Sequence, residues 1–177
     1  MKRSLIILSA VLLVVTACSS DKDKKEAPRL CPQTAIVREL ERIKDYGGET
    51  PDEKALVAVA LMQSVRGRCD YKDDGVDENF DLNIVAERAE RLGGDHVSFP
   101  FFIAVLDPDH KIISKELMTT DITFHGKDKK TEQTESLHVF IPMDKDANGE
   151  FHQVLMGFQL TEDQLNAQRK AGEEPGR

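Results

Sequence analysis

FPFFIAVL, at residues 99–106, is the clearest indication of the fold in this sequence. Every residue in it is apolar, so a strand formed by it would bury both faces and lie in the middle of a sheet. Pro100 stands near its start, where a missing N–H donor is tolerated. Asp107-Pro108-Asp109-His110 follows and places proline at the second position of a type I turn. We therefore predict a central strand that ends in a hairpin.

Shorter stretches on both sides alternate apolar and polar residues, as half-buried strands do. The pattern recurs with turn residues in between, which favours two packed antiparallel sheets. We predict a mainly β fold, an immunoglobulin-like antiparallel β-sandwich of about seven strands. The apolar positions are Phe80, Leu82 and Ile84; Met118, Ile122 and Phe124; Leu137, Val139, Ile141 and Met143; and Val154, Met156, Phe158 and Leu160.

The segment that precedes the strands predicts a short N-terminal helix. Ile36, Leu40 and Ile43 recur at helical spacing within residues 34–45, with charged residues between them. The next segment, residues 55–65, is ambiguous, because Ala, Leu and Met favour a helix whereas its apolar residues also alternate as in a strand. Periodicity alone leaves both alternatives open.

The C-terminal end of the chain predicts a second short helix. Thr161-Glu-Asp-Gln164 has the pattern of a capping box, which starts a helix, and we expect the helix to fray by Gly172. Residues 31–169 are expected to form a single domain, because about 140 residues suffice for one buried core. Residues 170–177 are expected to be a disordered tail.

The first eighteen residues have the pattern of an export signal. Lys2 and Arg3 precede an apolar run, residues 5–15, that is too short to span a bilayer comfortably. The run ends in Val-Thr-Ala-Cys, which resembles the lipobox of bacterial lipoproteins. That resemblance implies that residues 1–17 are a lipoprotein signal peptide and that Cys18 carries the lipid. An ordinary secretory signal with an incidental cysteine is the alternative.

Residues 18–30, reading CSSDKDKKEAPRL, are mostly polar and charged, which is typical of a solvated tether. We expect a lipidated, flexible segment with a reach of about 20 Å. Ser19, not Asp, follows the cysteine, and this resembles the signal that sends many Gram-negative lipoproteins to the outer membrane. The expected location is the periplasmic face of the outer membrane, with an inner-membrane lipoprotein as the alternative.

If Cys18 carries the lipid, two of the three cysteines, Cys31 and Cys69, remain, and they lie in an oxidising compartment. A structural disulfide is the simplest interpretation, and closing a loop of this length stabilises the fold by about 4 kcal/mol in the loop-entropy treatment. The functional alternative is a redox or metal pair. It is less favoured because the two cysteines lack Cys-x-x-Cys spacing and a nearby histidine.

Two acidic loops are candidate cation sites. Asp144, Asp146 and Asn148, followed by glycine, reproduce the first half of an EF-hand loop, but the twelfth position is leucine and not a bidentate glutamate. Asn-Gly is also a strong hairpin signal, so a polar hairpin turn is favoured over calcium. In the loop at residues 70–77, Lys72 stands where a ligand should be, and an acidic hairpin turn is predicted there.

The remaining residues show no pattern of a catalytic centre. The five histidines lack metal-ligand spacing, although His138 and His152 would meet if their strands paired. No nucleophile elbow or phosphate loop is present, so we expect neither enzyme activity nor a cofactor. Loss of Lys2 and Arg3 would leave 22 basic residues against 32 acidic ones, a net charge of −10, which disfavours nucleic acid as a partner.

The order of several short motifs resembles a family of uncharacterised bacterial envelope lipoproteins. The motifs are the lipobox, Cys31-Pro32, Gly-x-Cys-x-Tyr at residues 67–71, Pro-aromatic-Phe-x-Ala-Val at residues 100–105 and Gly-Phe-Gln-Leu-Thr at residues 157–161. The chain then departs from the family pattern, with Ala-Gln-Arg in place of aromatic-Asn-Arg. The resemblance implies a strand at residues 55–65 and brings no activity with it.

These observations together predict a lipid-anchored periplasmic module that binds or scaffolds another component of the envelope without catalysis. The expected contacts are the membrane, through the lipid on Cys18, and a protein partner in the envelope. The alternative is a lipoprotein that binds a small ligand or a cation such as calcium through the acidic loops.

Overall fold

The structure is a computed structural model that describes residues 28–48 and 50–173. Within these residues, eight strands form two four-stranded sheets that pack as a sandwich, followed by one C-terminal helix, which confirms the predicted mainly β fold. The strands are β1 Gln33–Ile36, β2 Arg42–Asp45, β3 Ala58–Tyr71, β4 Gly75–Arg88, β5 His96–Leu106, β6 Ile112–Thr123, β7 Lys130–Pro142 and β8 Gln153–Phe158; the helix is α1 Glu162–Glu173.

The strand order is β1-β8-β5-β6 in the first sheet and β2-β3-β4-β7 in the second. All pairs are antiparallel except β1 with β8, which run parallel, so the first sheet is mixed. Two long hairpins dominate the sandwich, β3–β4 in the second sheet and β5–β6 in the first. The long strand β7 pairs with β4 at the edge of the second sheet, and the short strands β1, β2 and β8 complete the sheets.

β5 contains the apolar stretch and lies between β8 and β6, as predicted for a central strand. Its two faces enter different clusters, and this is why it is apolar at every position. Phe99, Phe101, Ile103 and Val105 face the main core between the sheets. Phe102, Ala104 and Leu106 form a smaller cluster on the outer face, where Leu40 and Leu155 pack against them.

The predicted hairpin after β5 is confirmed. The backbone N–H of His110 donates to the carbonyl of Asp107 at 2.9 Å, which closes the turn around Pro108. His110 has a φ of 61°. The chain can therefore return as β6, whose first residues pair with the end of β5 across a register shift between Val105 and Leu106.

The predicted N-terminal helix at residues 34–45 is wrong. The segment forms β1, a 3-10 turn at Arg38–Leu40 and β2, so it crosses from the first sheet to the second. Ile36 and Ile43 pack on the main core, whereas Leu40 packs on the cluster of the opposite, outer face of the first sheet. The three residues never share a face, and pairing with β8 and β3 overrides the helical spacing.

Residues 55–65 become the start of β3 after a 3-10 turn at Glu53–Ala55, so the strand alternative holds for most of the segment. Ala58, Ala60 and Met62 are buried in the core, and the residues between them are more exposed. Alternating burial along paired strands thus outweighs the helical propensity of Ala and Met.

The capping box at the start of α1 is confirmed. The backbone N–H of Gln164 donates to Oγ1 of Thr161 at 3.2 Å, and the backbone N–H of Thr161 donates to Oε1 of Gln164 at 2.9 Å. α1 continues to Glu173, four residues beyond the predicted end of the domain at position 169. The rest of the predicted tail, residues 174–177, lies outside the described residues.

The predicted signal peptide, the lipid-bearing Cys18 and tether residues 18–27 also lie outside the described residues. Of the predicted tether, the last residues contact the folded domain. The Arg29 guanidinium donates to the carbonyl of Lys145 at 2.6 Å and stacks over the Tyr71 ring, and the Leu30 carbonyl accepts from the Tyr71 hydroxyl. Within residues 28–48 and 50–173, no helix has the length and apolar character needed to cross a bilayer.

Candidate functional site

Cys31 and Cys69 form a disulfide between the two sheets, as predicted, with their Cα atoms 5.7 Å apart. Cys31 lies two residues before β1 of the first sheet, and Cys69 lies in β3 of the second. Cys31 is exposed, whereas Cys69 is half-buried and packs against the main core. The bridge therefore has one side open to solvent and one side against the interior.

Glu78 occupies the buried side of this bridge. It lies on β4, directly opposite Cys69 on β3 and opposite Val139 on β7, and residues opposite each other in a ladder point to the same face. One carboxyl oxygen of Glu78 and the two sulfur atoms all lie within 4.8 Å of one another. Glu78 is 1% exposed, and its Oε1 has no hydrogen-bond partner in the described part of the chain.

Burial dominates the electrostatics of Glu78. A charged carboxylate that is removed from water without a compensating partner is costly, so the neutral acid is favoured. Burial accordingly raises the pKa of Glu78 from about 4.5 to about 7. Near neutral pH this group therefore exists in both protonation states, and it can accept or donate a proton beside the disulfide.

The same three residues also form the one cluster of His, Cys, Asp and Glu ligand atoms close enough for a metal within residues 28–48 and 50–173. The two sulfur atoms are bonded to each other and present no thiolate. Because the thiolate is the form of cysteine that binds metals, this oxidised pair does not fit a metal ion.

Sequence reasoning missed Glu78 as a site residue. Phe80, Leu82 and Ile84 were recognised as the apolar face of a strand, and Glu78 lies two residues before Phe80, at the next position of that face. A glutamate in register with a buried face is a recognisable signal, because its side chain must enter the core. Its proximity to the disulfide depends on the pairing of β3 with β4 and could not be derived from the spacing alone.

In the first candidate calcium loop, Asn148 serves as the cap of a short helical turn. Oδ1 of Asn148 accepts from the backbone N–H groups of Leu30 at 3.0 Å and Glu150 at 3.3 Å, so it caps the 3-10 turn at Gly149–Phe151. Asp144 and Asp146 remain exposed. The predicted hairpin turn at Asn148-Gly149 is wrong, because the loop carries the chain from β7 in one sheet to β8 in the other.

The second acidic loop forms the predicted hairpin turn. The Lys72 N–H donates to the Gly75 carbonyl at 2.8 Å, and the chain continues directly into β4. Lys72 also forms an ion pair with Asp77 at 3.4 Å. The lysine that argued against a cation site in the sequence thus neutralises part of the acidic loop.

His138 and His152 do not meet. His138 lies on β7 in the second sheet, and its Nε2 is 3.0 Å from Oδ1 of Asp77. This hydrogen bond, with a smaller contribution from Lys72, lowers the pKa of Asp77. His152 is buried immediately before β8 of the first sheet, and β7 and β8 do not pair, so the hypothetical two-histidine fragment does not form.

A second feature is an apolar surface at the edge of the first sheet. Ile112 and Leu117 of β6 are 62% and 66% exposed. They lie opposite Leu106 and Phe102 of β5, respectively, so all four side chains share the outer face. We name these four residues the β6 patch. The Lys115 ammonium lies 4.5 Å from the centre of the Phe102 ring, which places a cation within this surface.

Comparison with known proteins finds no match to a protein family, to a curated protein or to a solved structure. The resemblance of the short sequence motifs to envelope lipoproteins therefore stays a prediction.

Proposed function

We propose that this protein is a lipid-anchored, non-catalytic module of the bacterial envelope that binds another envelope protein through the β6 patch. In this proposal the lipid on Cys18 holds the domain at the periplasmic face of the outer membrane. The observation that supports binding is the exposure of Ile112 and Leu117 beside the buried side chains of Leu106 and Phe102.

The energetics of the β6 patch favour a protein partner. Full burial of an isoleucine or leucine side chain contributes about 1.5–3 kcal/mol, so burial of Ile112 and Leu117, which stand on either side of Lys115 on one face of β6, would favour association. Contiguous exposed apolar surface typically marks an interaction site. A folded or extended segment with apolar side chains is therefore the chemistry that would recognise this surface.

The backbone of β6 offers a second means of recognition. In the strand order of the first sheet, β6 has β5 as its neighbour and forms an edge. An edge strand presents unpaired N–H and C=O groups that can pair with a strand from another protein. Main-chain pairing along β6 and apolar contacts at Ile112 and Leu117 would act on the same partner segment.

Site-specific photo-crosslinking in intact cells tests the binding surface. A photoreactive residue at position 117 is expected to give one discrete adduct with another envelope protein, and the substitution Ile112→Ser is expected to reduce that adduct severalfold. Position 132 of β7, an exposed position on the edge strand of the other sheet, is the matched control. Equal adducts at both positions, or an adduct with the mass of two copies of this chain, would contradict the proposed partner.

Metabolic labelling with a palmitate analogue tests the anchor. The full chain is expected to be labelled and to sediment with outer membranes, whereas the Cys18→Ser variant is expected to be unlabelled and released from them. Sedimentation of the wild-type chain with inner membranes would contradict the proposed location. An unlabelled wild-type chain would contradict the lipid anchor itself.

A further inference from the structure

We propose that the Cys31–Cys69 bridge is a thiol–disulfide exchange site that a dithiol reductant opens, and that Glu78 transfers the proton that Cys69 needs as it leaves. This inference is independent of the β6 patch. It treats the bridge as the target of a reductant, so it requires no turnover by the protein itself.

The exposure of the two cysteines favours one direction of attack. Thiol–disulfide exchange proceeds by attack of a thiolate on one sulfur while the other sulfur leaves. Cys31 belongs to an exposed segment before β1, whereas Cys69 packs against the core. A reductant therefore approaches from the exposed Cys31 side, and the leaving group is the sulfur of Cys69, which lies opposite Glu78 in the β3–β4 ladder.

The exchange balances in two steps. A thiolate of the dithiol attacks Sγ of Cys31, a mixed disulfide forms, the Cys31–Cys69 bond breaks, and its electron pair goes to Sγ of Cys69. The protonated carboxyl of Glu78 gives its proton to that sulfur and becomes a carboxylate. The second thiolate of the dithiol then attacks the mixed disulfide and releases Cys31, which takes a proton from water. The dithiol ends as a disulfide, and the protein gains two thiols.

The surroundings of Glu78 explain why a proton donor helps. A thiolate released at Cys69 would form against apolar core, where charge is costly and the pKa of a thiol rises above its usual value near 8.5. Burial raises the pKa of Glu78 only to about 7, so its proton passes favourably to the thiolate. The residues opposite Glu78 on the adjacent strands, Cys69 and Val139, carry no charge that competes for the proton.

A purely structural bridge gives no reason for a carboxyl group at this position. Neighbouring positions on the same face of β4, Val76 and Phe80, are buried and apolar, as a core position ordinarily is. Glu78 forms no hydrogen bond through Oε1 that would offset its burial. The buried carboxyl group therefore lowers the stability of the folded protein. Proton transfer to the adjacent sulfur would explain why a glutamate is present at this core position.

The test measures how fast dithiothreitol opens the bridge in the folded full-length protein. Opening is followed by maleimide addition and mass spectrometry, and rates are divided by the dithiothreitol thiolate concentration at each pH. At pH 6 we expect Glu78→Gln to open at least about tenfold more slowly than the wild type, because amide cannot donate the proton. Glu116→Gln, at an exposed position on β6, is the matched control and is expected to leave the rate unchanged.

The choice of pH 6 separates proton transfer from stability. Below about pH 7 the wild-type side chain is mostly neutral, so wild type and Glu78→Gln differ little in buried charge and differ mainly in the proton they can donate. The ratio of the wild-type rate to the Glu78→Gln rate is expected to fall towards one as the pH rises above 7. Equal rates at pH 6, or a ratio that grows above pH 7, would overturn the proposal.

A second variant covers the case in which Glu78→Gln fails to fold, which circular dichroism would reveal. Glu78→Asp keeps the carboxyl group but withdraws it by one methylene. At pH 6 the bridge in Glu78→Asp is expected to open more slowly than in the wild type. Above pH 7 the two rates of opening are expected to be equal, because the carboxyl group is then ionised in both proteins. A wild-type rate per thiolate that is the same from pH 5 to pH 9 would overturn the proposal without any variant.

Discussion

Glu78 lies directly opposite Cys69 in the β3–β4 ladder, so a buried carboxyl group stands against the disulfide that joins the two sheets. The pair therefore couples the disulfide, which stabilises the sandwich, to a group that titrates. Covalent closure of the sandwich stabilises it, and the carboxyl group beside the closure makes its stability depend on pH.

Replacement of Glu78 by Gln is expected to change how stability depends on pH. The pKa of Glu78 is about 7 in the folded state, above its ordinary value near 4.5, so folding favours the protonated form. The stability that the protonated Glu78 side chain contributes is fully present below about pH 4.5 and is lost as the pH rises through about 7. Wild type is therefore expected to lose up to about 3 kcal/mol over this range relative to Glu78→Gln.

The measurement is the free energy of unfolding in urea at pH 4.5 and pH 8. The two proteins are expected to be similar at the lower pH, with Glu78→Gln more stable at the higher pH. Glu116→Gln serves as the exposed control and should follow the wild type at both values. A constant difference between wild type and Glu78→Gln would contradict the raised pKa.

Removal of the disulfide by Cys31→Ala with Cys69→Ala is expected to destabilise the domain by about 2–4 kcal/mol. The bridge spans 38 residues of sequence and restricts the unfolded chain, which is the main origin of such stabilisation. Denaturant unfolding of the oxidised wild type and the double variant at the same pH measures the loss. A difference below about 1 kcal/mol would indicate that the bridge contributes little to the fold.

Gly75 is expected to tolerate no side chain. A Cβ atom at this position would meet the backbone carbonyl of Ile141 and would lie 2.7 Å from the Phe140 ring, so β4 and β7 would have to separate. Gly75→Ala is expected to cost about 2 kcal/mol or more. Gly94→Ala is the control, since a Cβ there has nothing within 4 Å. Thermal unfolding of both variants measures the difference, and equal melting temperatures would contradict the packing.

Asn148 is expected to act as a structural cap and not as a calcium ligand. Its Oδ1 accepts from Leu30 and Glu150, so Asn148→Ala removes both hydrogen bonds and is expected to cost about 1 kcal/mol. Calorimetric titration of the wild type with calcium is expected to show no binding at micromolar concentrations. A saturable heat that Asp144→Asn abolishes would restore the loop as a cation site.

Much of the architecture could be predicted, because the relevant signals are local. The alternation around Phe80 indicates a strand, Pro108 indicates a turn, and Thr161 with Gln164 indicates a helix start, and each depends on residues within a few positions of one another. The structure contains all three features. The pairing of Cys31 with Cys69 was predicted by elimination and not from a local pattern, since assigning Cys18 to lipid leaves two cysteines.

The N-terminal segment shows where local patterns mislead. Ile36, Leu40 and Ile43 have helical spacing, yet β1 pairs in parallel with β8, more than a hundred residues away, and β2 pairs with β3. The available strand edges decide the conformation of such a short segment, because backbone hydrogen bonds and burial gained there exceed the small propensity differences between helix and strand.

The amino-acid order alone was sufficient for the β-sandwich, the central position of β5 and the hairpin turns after β3 and β5, since side-chain periodicity and turn chemistry are properties of neighbouring residues. The sheet partners, the crossing of residues 34–45 between sheets and the contact of Glu78 with the disulfide arise only in the folded chain. These features join residues that are distant in sequence, and their energies depend on which surfaces are buried together, which no short stretch of sequence specifies.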